Sequence, residues 1–394
     1  MTAFFSRRIG LTANGTPQKI DYGTKVTGQA GGLDLGLLQV RTAAEPGVAG
    51  EDFTVFRPRR SFFLQSNVGM IYTRRATRNS DIPGRHAIGV DFQLATTQFR
   101  GSESPQFSGF YMRTPDGVRK GDDAAWVMRF DYPNDLWTVQ SSFKSFGENF
   151  DPAIGFVEQK GLRLFVNTLQ FAPRPNTRLI RRVASSARAR MAKDMEGNWI
   201  ERTYMVNVLG VDFQSGDRAT LQVRPSYELL DRDFRVGPGI VLPAGNDYQF
   251  TRYSLGFSTA NRRMISGNAN VTLGTFYSGH RRDFSVGLNL RPRPGILATL
   301  SSSFNRTELP EGSFSTKVLR AIVNTQFGPF VSITNNIQYD SVSRILGWQS
   351  RFRWTVKPGN DIYFVWVNNW LDSGDRLETV NRNAATKIVY THSF

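Results

Sequence analysis

Hydrophobic and polar side chains alternate with a period of two through most of this chain. From Arg282 to Arg291, Phe284, Val286, Leu288 and Leu290 face one way, and Asp283, Ser285, Gly287, Asn289 and Arg291 the other. Val331, Ile333, Ile337 and Tyr339 are set against Ser332, Thr334, Asn336 and Gln338. Leu346, Trp348, Phe352 and Trp354 oppose Gly347, Gln349, Arg351 and Arg353. Upstream, Trp126, Met128, Phe130 and Tyr132 alternate with Val127, Arg129 and Asp131, and Ile88, Val90, Phe92 and Leu94 with Gly89, Asp91 and Gln93. The chain ends the same way, with Ile388, Tyr390, His392 and Phe394 on one face and Lys387, Val389, Thr391 and Ser393 on the other. Period two means strands with one buried or lipid-facing side. A last strand that is greasy on one side and ends on an aromatic residue suits a wall with lipid outside and water inside. Ile388, Tyr390 and Phe394 are therefore expected to face lipid.

The connections support the same reading. Lys357–Asn360, Phe327–Pro329, Arg291–Pro294, Gln214–Asp217, Pro173–Asn176 and Tyr132–Asp135 read as short turns rich in Gly, Pro and Asn. Between them fall longer, more polar links: Asp372–Asn383, Asn305–Ser313, Leu230–Asp247, Gly147–Lys160, Thr114–Asp123, Arg75–Arg85 and Ala43–Glu51. Short turns at one end and long loops at the other are the asymmetry of outer-membrane barrels. The fold class expected is all-β: a transmembrane antiparallel up-and-down β-barrel of about 22 strands, within a range of about 20–24. One barrel domain over residues 1–394 uses the whole chain, with both termini periplasmic in the bacterial outer membrane and no separate plug domain ahead of Phe4. The alternation is weakest over 1–10, 51–60 and 196–213, and 361–371 is apolar on both faces. The segments 147–160 and 230–247 are the ones long enough to fold inward and narrow a wide lumen.

Composition agrees. No run approaches the roughly 18 apolar residues that a spanning helix needs, and mean hydropathy is −0.35, so a helical membrane protein is excluded. Alternation halves the apparent hydrophobicity of each strand, so a barrel is not. With 30 Phe, 12 Tyr and 7 Trp there are aromatic residues enough for two interfacial girdles. Cysteine is absent, which removes thiol chemistry and cysteine metal sites. Residues 1–8 hold no apolar segment long enough for a secretory signal. The chain therefore reads as a mature form, a truncation or an expressed fragment, the last favoured by Met1 beside an immediate strand.

Four blocks in order carry a family resemblance: Phe4–Gly10, Asn149–Phe156, Phe171–Asn176, and Leu346–Trp354 followed by Lys357–Asp361. Together they resemble the outer-membrane barrel domain that usually follows a carbohydrate-binding module of the family-nine type in bacterial surface proteins. The resemblance covers essentially the whole chain, without the sugar-binding module. It implies fold and location and hints at glycan-related transport, and it carries no catalytic residues.

The net charge of +16 would suggest nucleic acid in a soluble protein, but no specific nucleic-acid motif is present. In a barrel the charge belongs in the lumen and at the rims. Arg182, Arg188 and Arg190 share a face, as do Arg351 and Arg353, and Arg218 and Arg224; Arg129, Arg252, Arg291 and Arg320 add to the basic side. They either favour anions in a pore or ladder with Asp131, Asp283 and Glu228 to stiffen the wall. Arg74-Arg75, Arg262-Arg263 and Arg281-Arg282 at strand ends either bind lipopolysaccharide or phospholipid head groups or are solvated rim charge. The three histidines, His86, His280 and His392, form no metal-spaced cluster. His280, after Tyr277-Ser-Gly, either sits near Asp283 or is a lone loop histidine decorating the surface. No cofactor and no enzymatic activity are expected. The leading function is a porin-like channel with a wide basic lumen for anionic or neutral solutes, oligosaccharides among them. The alternatives are a non-conducting anchor for a periplasmic sugar-binding module or envelope complex, and an engineered nanopore.

Overall fold

The structure, a computed structural model, describes residues 9–12, 14–81, 83–101, 103–115 and 121–391. These residues contain no helix and form 23 strands. They divide into two compact units, Met1–Phe171 with Ala187–Thr203, and Ala172–Ser186 with Tyr204–Phe394.

The first unit holds β1 (Ile20–Ala30), β2 (Leu33–Thr42), β3 (Glu51–Phe62), β4 (Ser66–Thr77), β5 (Arg85–Ala95), β6 (Gln106–Arg113), β7 (Ala124–Tyr132), β8 (Trp137–Phe146) and β9 (Leu162–Phe171). Each pairs antiparallel with the next. The strands β10 (Ile180–Asp194) and β11 (Trp199–Phe213) give residues to both units. The second unit continues with β12 (Arg218–Leu229), a small hairpin of β13 (Phe234–Gly237) and β14 (Ile240–Leu242), then β15 (Asp247–Ser258), β16 (Ile265–Phe276), β17 (Gly279–Leu290), β18 (Ile296–Leu309) and β19 (Gly312–Gln326). Last come β20 (Val331–Asp340), β21 (Ile345–Lys357), β22 (Asn360–Asp372) and β23 (Leu377–Val389). Within this unit β12 pairs with β15, and the rest pair in chain order.

Pairing carries the alternation from strand to strand, since opposed residues share a face. Gln222, Ser254, Thr272, Asp283, Asn305 and Thr316 lie side by side from β12 to β19. On the other face Tyr253, Leu255 and Phe257 are 55%, 61% and 49% exposed. A surface this apolar and continuous calls for a non-aqueous neighbour.

The expected first strand over 1–10 falls largely outside the described residues, as do His392 and Phe394. Two links are shorter than the sequence suggested. The polar stretch Asn305–Ser313 is the end of β18 and the start of β19, joined by a two-residue turn at 310–311, and β23 begins at Leu377, well inside Asp372–Asn383. A strand needs only about 9–11 residues to cross a bilayer, whereas β18 and β19 have 14 and 15. Their polar ends are strand and merely look like loop.

The long link 147–161 folds onto the face of the first unit that bears Arg129. Phe150 and Ile154 are fully buried there, Phe150 with Met112, Ala125, Phe146 and Leu162, and Ile154 with Val40, Phe53 and Val55. Each contributes about 1.5–3 kcal/mol by leaving water. Polar ties add to this: Asp151 pairs with Arg85 at 3.2 Å, and its N–H donates to Thr114 Oγ1 at 2.9 Å. Gly147 is obligatory at the root, because a Cβ there would sit 1.9 Å from the Asp122 carbonyl oxygen. In the second unit the β13–β14 hairpin does the same through Leu230, Ile240, Leu242 and Leu309. Beside it, in the turn after β16, the Tyr277 hydroxyl donates to Glu228 at 2.9 Å. Burial, with the neighbouring carboxylate, pushes that phenol up, so it stays a donor.

Asp217, in the turn between β11 and β12, clips a neighbouring turn. It accepts from Arg263 at 2.8 Å, from Ser215 at 2.8 Å and from the Ala260 N–H at 2.9 Å. Chiefly the Arg263 contact, then that of Ser215, lowers its carboxyl to about 2 from the usual 3.8. A depressed carboxyl stabilises the fold above its unfolded value and loses that contribution as pH falls through the folded one. Asp217→Asn should thus lower the melting temperature at neutral pH, and the deficit should vanish towards pH 2 (thermal melts in detergent across pH check this).

Candidate functional site on the polar faces

In the first unit the polar face gathers cations about Lys144, which feels the charges of Arg129, Arg188, Arg190 and Glu158. Arg129 pairs with Asp131 at 2.5 Å and Arg190 with Glu201 at 2.9 Å. Arg188 has no carboxylate partner among the described residues. Lys144 was not singled out from sequence, although its parity opposite Phe143 places it on this face. On the same face, Arg57 of β3 grips Asp91 of β5 through two contacts, 2.5 and 2.9 Å.

In the second unit, Asp212 is shared by Arg182 at 3.0 Å and Arg218 at 3.5 Å. Arg224 stands opposite Arg252 in the β12–β15 register. Arg252 is 4% exposed and is held by Asp283 and by the Thr272 and Arg281 carbonyl oxygens, so it braces the wall and offers nothing to solvent. Arg320 donates to Asn336 Oδ1 at 2.9 Å.

A concavity of about 930 Å³ on this face lies where β18–β22 meet the turn after β17. Arg291, Asn324, Gln326, Arg351, Arg353 and Tyr363 line it. Arg291 lies one residue beyond β17, in that turn, and donates to the Asn261 carbonyl oxygen. Arg353 is fixed by Asp361 at 3.0 and 3.1 Å and lies over the Tyr363 ring at 5.8 Å. Arg351 carries no carboxylate partner among the described residues. Tyr363 came from the segment that reads as apolar on both faces; its ring is the cavity wall.

Six of the eleven predicted arginines therefore have a carboxylate partner: Arg129, Arg182, Arg190, Arg218, Arg252 and Arg353. Arg188, Arg224, Arg291, Arg320 and Arg351 keep their charge unmatched by a carboxylate among the described residues. Glu228 receives Tyr277. The suggested nearness of His280 to Asp283 is corrected: His280 pairs opposite Glu308 and shares parity with Phe284, so it lies on the other face from Asp283. His86 meets the Tyr72 hydroxyl at 2.8 Å. On the apolar face, Ile388 is 72% and Tyr390 75% exposed, Tyr390 just past the end of β23.

No protein-family model and no curated sequence matches the chain. Among solved structures, a variant of the ferric enterobactin receptor of Pseudomonas aeruginosa aligns with a TM-score of 0.51 at 10% identity, over 97% of this chain and 75% of that one. The open form of the ferric-catecholate import receptor Fiu of E. coli K12 aligns over 97% and 77% at 7% identity, with a TM-score of 0.39, too low to bear on the fold. Likeness at such identity speaks for fold and not for cargo. The fold is thus all-β, with antiparallel strands running up and down, and it is similar to the barrel of the first of these, a large outer-membrane protein.

Proposed function

We propose that this protein is an outer-membrane channel whose basic lumen passes anionic or neutral solutes, oligosaccharides among them. One observation carries the reading: among the described residues, Arg188 in the first unit and Arg224, Arg291, Arg320 and Arg351 in the second have no carboxylate partner, and Asn, Ser, Thr and Gln recur in rows on the polar faces. Fixed cations without counter-charges lower the barrier for anions and raise it for cations. Amides and hydroxyls in rows offer both donors and acceptors, which suits sugar hydroxyls. The resemblance to barrel domains that follow sugar-binding modules points the same way.

A second reading, a non-conducting anchor or docking barrel, is favoured by the packing of 147–161 and of the β13–β14 hairpin onto the polar faces. Planar-bilayer recording separates the two. The channel reading expects discrete conductance steps and a reversal potential displaced towards that of chloride in a potassium chloride gradient. A correctly inserted barrel that never conducts would establish the anchor instead.

A further inference from the structure

We propose that the apolar face of the first unit carries a binding groove for a phosphate-bearing lipid. The groove, about 770 Å³, opens at the strand ends where β7, β8 and β9 meet the 191–199 stretch. Its floor is a stacked run of rings. Trp126 lies 4.5 Å from Phe143, and Phe143 lies 4.3 Å from Phe165. These side chains share the face of Met128 and Phe130, which are 39% exposed. Arg163 sits directly opposite Ser145 at the same rim. Lys193 Nζ is held 4.3 Å over the Trp199 ring, and the Arg202 guanidinium lies 5.4 Å from the same ring. Among the described residues, Asp122 is the one carboxylate in the lining.

A cation on a lipid-facing surface is costly unless it reaches the headgroup layer or finds an anion. Arg163 and Lys193 lie within two residues of their strand ends, where headgroup phosphates run. The aromatic floor continues from them into the apolar surface. Cations above and flat apolar rings below match one molecule with a phosphate joined to an acyl chain. A free phosphate would leave the floor uncovered, and a neutral lipid would leave Arg163 and Lys193 without an anion. The occupant is thus a lipid whose phosphate is an exposed monoester or diester without a balancing cation.

The inference rests on the barrel spanning a membrane, and flotation of the reconstituted protein with vesicles reports on that separately. Native mass spectrometry of the detergent-purified protein, offered phosphatidic acid or phosphatidylcholine of the same chains, tests the groove. Phosphatidic acid should be retained about ten-fold more tightly, and Arg163→Gln with Lys193→Gln should abolish that preference. Phe143→Ala should weaken retention of the lipid while inorganic phosphate fails to displace it. Arg382→Gln, a cation over the Trp366 ring on another strand, should change nothing. Equal retention of both lipids, a double variant that behaves as the parent, or displacement by inorganic phosphate would each overturn the proposal.

Discussion

Replacing Phe150 by Asp should free the 147–161 segment from the sheet and raise single-channel conductance. Phe150 is fully buried against Met112, Ala125, Phe146 and Leu162. Losing such a ring costs about 3–5 kcal/mol, and the buried carboxylate that replaces it adds a desolvation cost with no partner. The strand ladder does not depend on this side chain, so the loss should fall on the docked segment and spare the barrel. A released segment would leave the lumen wider, with larger and noisier conductance steps. Faster amide exchange over 148–160 would report the release directly. Phe150→Leu, which keeps most of the apolar volume, should leave both nearly unchanged. If Phe150→Asp undocked the segment and conductance stayed at the parent value, this loop would not be the constriction.

Reversing Arg188 and Arg351 should weaken or invert anion preference. Both lack a carboxylate partner among the described residues, so their charge is not cancelled nearby. Two unit charges about 8 Å apart in water interact by about 0.5 kcal/mol, so reversing one changes the anion barrier by about 1 kcal/mol, or about five-fold. The effect should be largest at low salt, where screening is weakest. In the Arg188→Glu, Arg351→Glu protein the reversal potential should move away from the chloride value. Thermal stability should change little, since neither residue holds a carboxylate. Arg353→Glu differs, because it also faces Asp361 with a like charge and should destabilise the β21–β22 pair. An unchanged reversal potential in the double variant would remove the basic-lumen reading.

Much of this was legible in the chain itself, and the exceptions have physical reasons. The strand β17 reads cleanly because its apolar residues point one way and its polar ones the other along its whole length. Over 51–60 the pattern fails because Phe53 and Val55, on the polar side by parity, are buried beneath Ile154 of the inward segment. The apolar character of 361–371 on both faces has a similar origin at Tyr363, which walls a cavity and lies under Arg353. Phe53 and Val55 meet a segment from elsewhere in the chain and Tyr363 its cross-strand neighbour Arg353, and no local period reveals either. The grouping of Arg129, Arg188 and Arg190 about Lys144 was hidden for another reason. It depends on the relative register of several strands, and one residue of slip would send each side chain to the other face.

One face of each strand of the large sheet should meet hydrocarbon and the other the polar interior, and site-directed spin labelling tests this most directly. The native chain has no cysteine, so single cysteines can be placed along β17 from Asp283 to Leu290 and labelled in vesicles. Oxygen should reach labels at 284, 286, 288 and 290, and a water-soluble nickel chelate those at 283, 285, 287 and 289, in strict alternation. Equal access of both reagents at all eight positions would contradict the account.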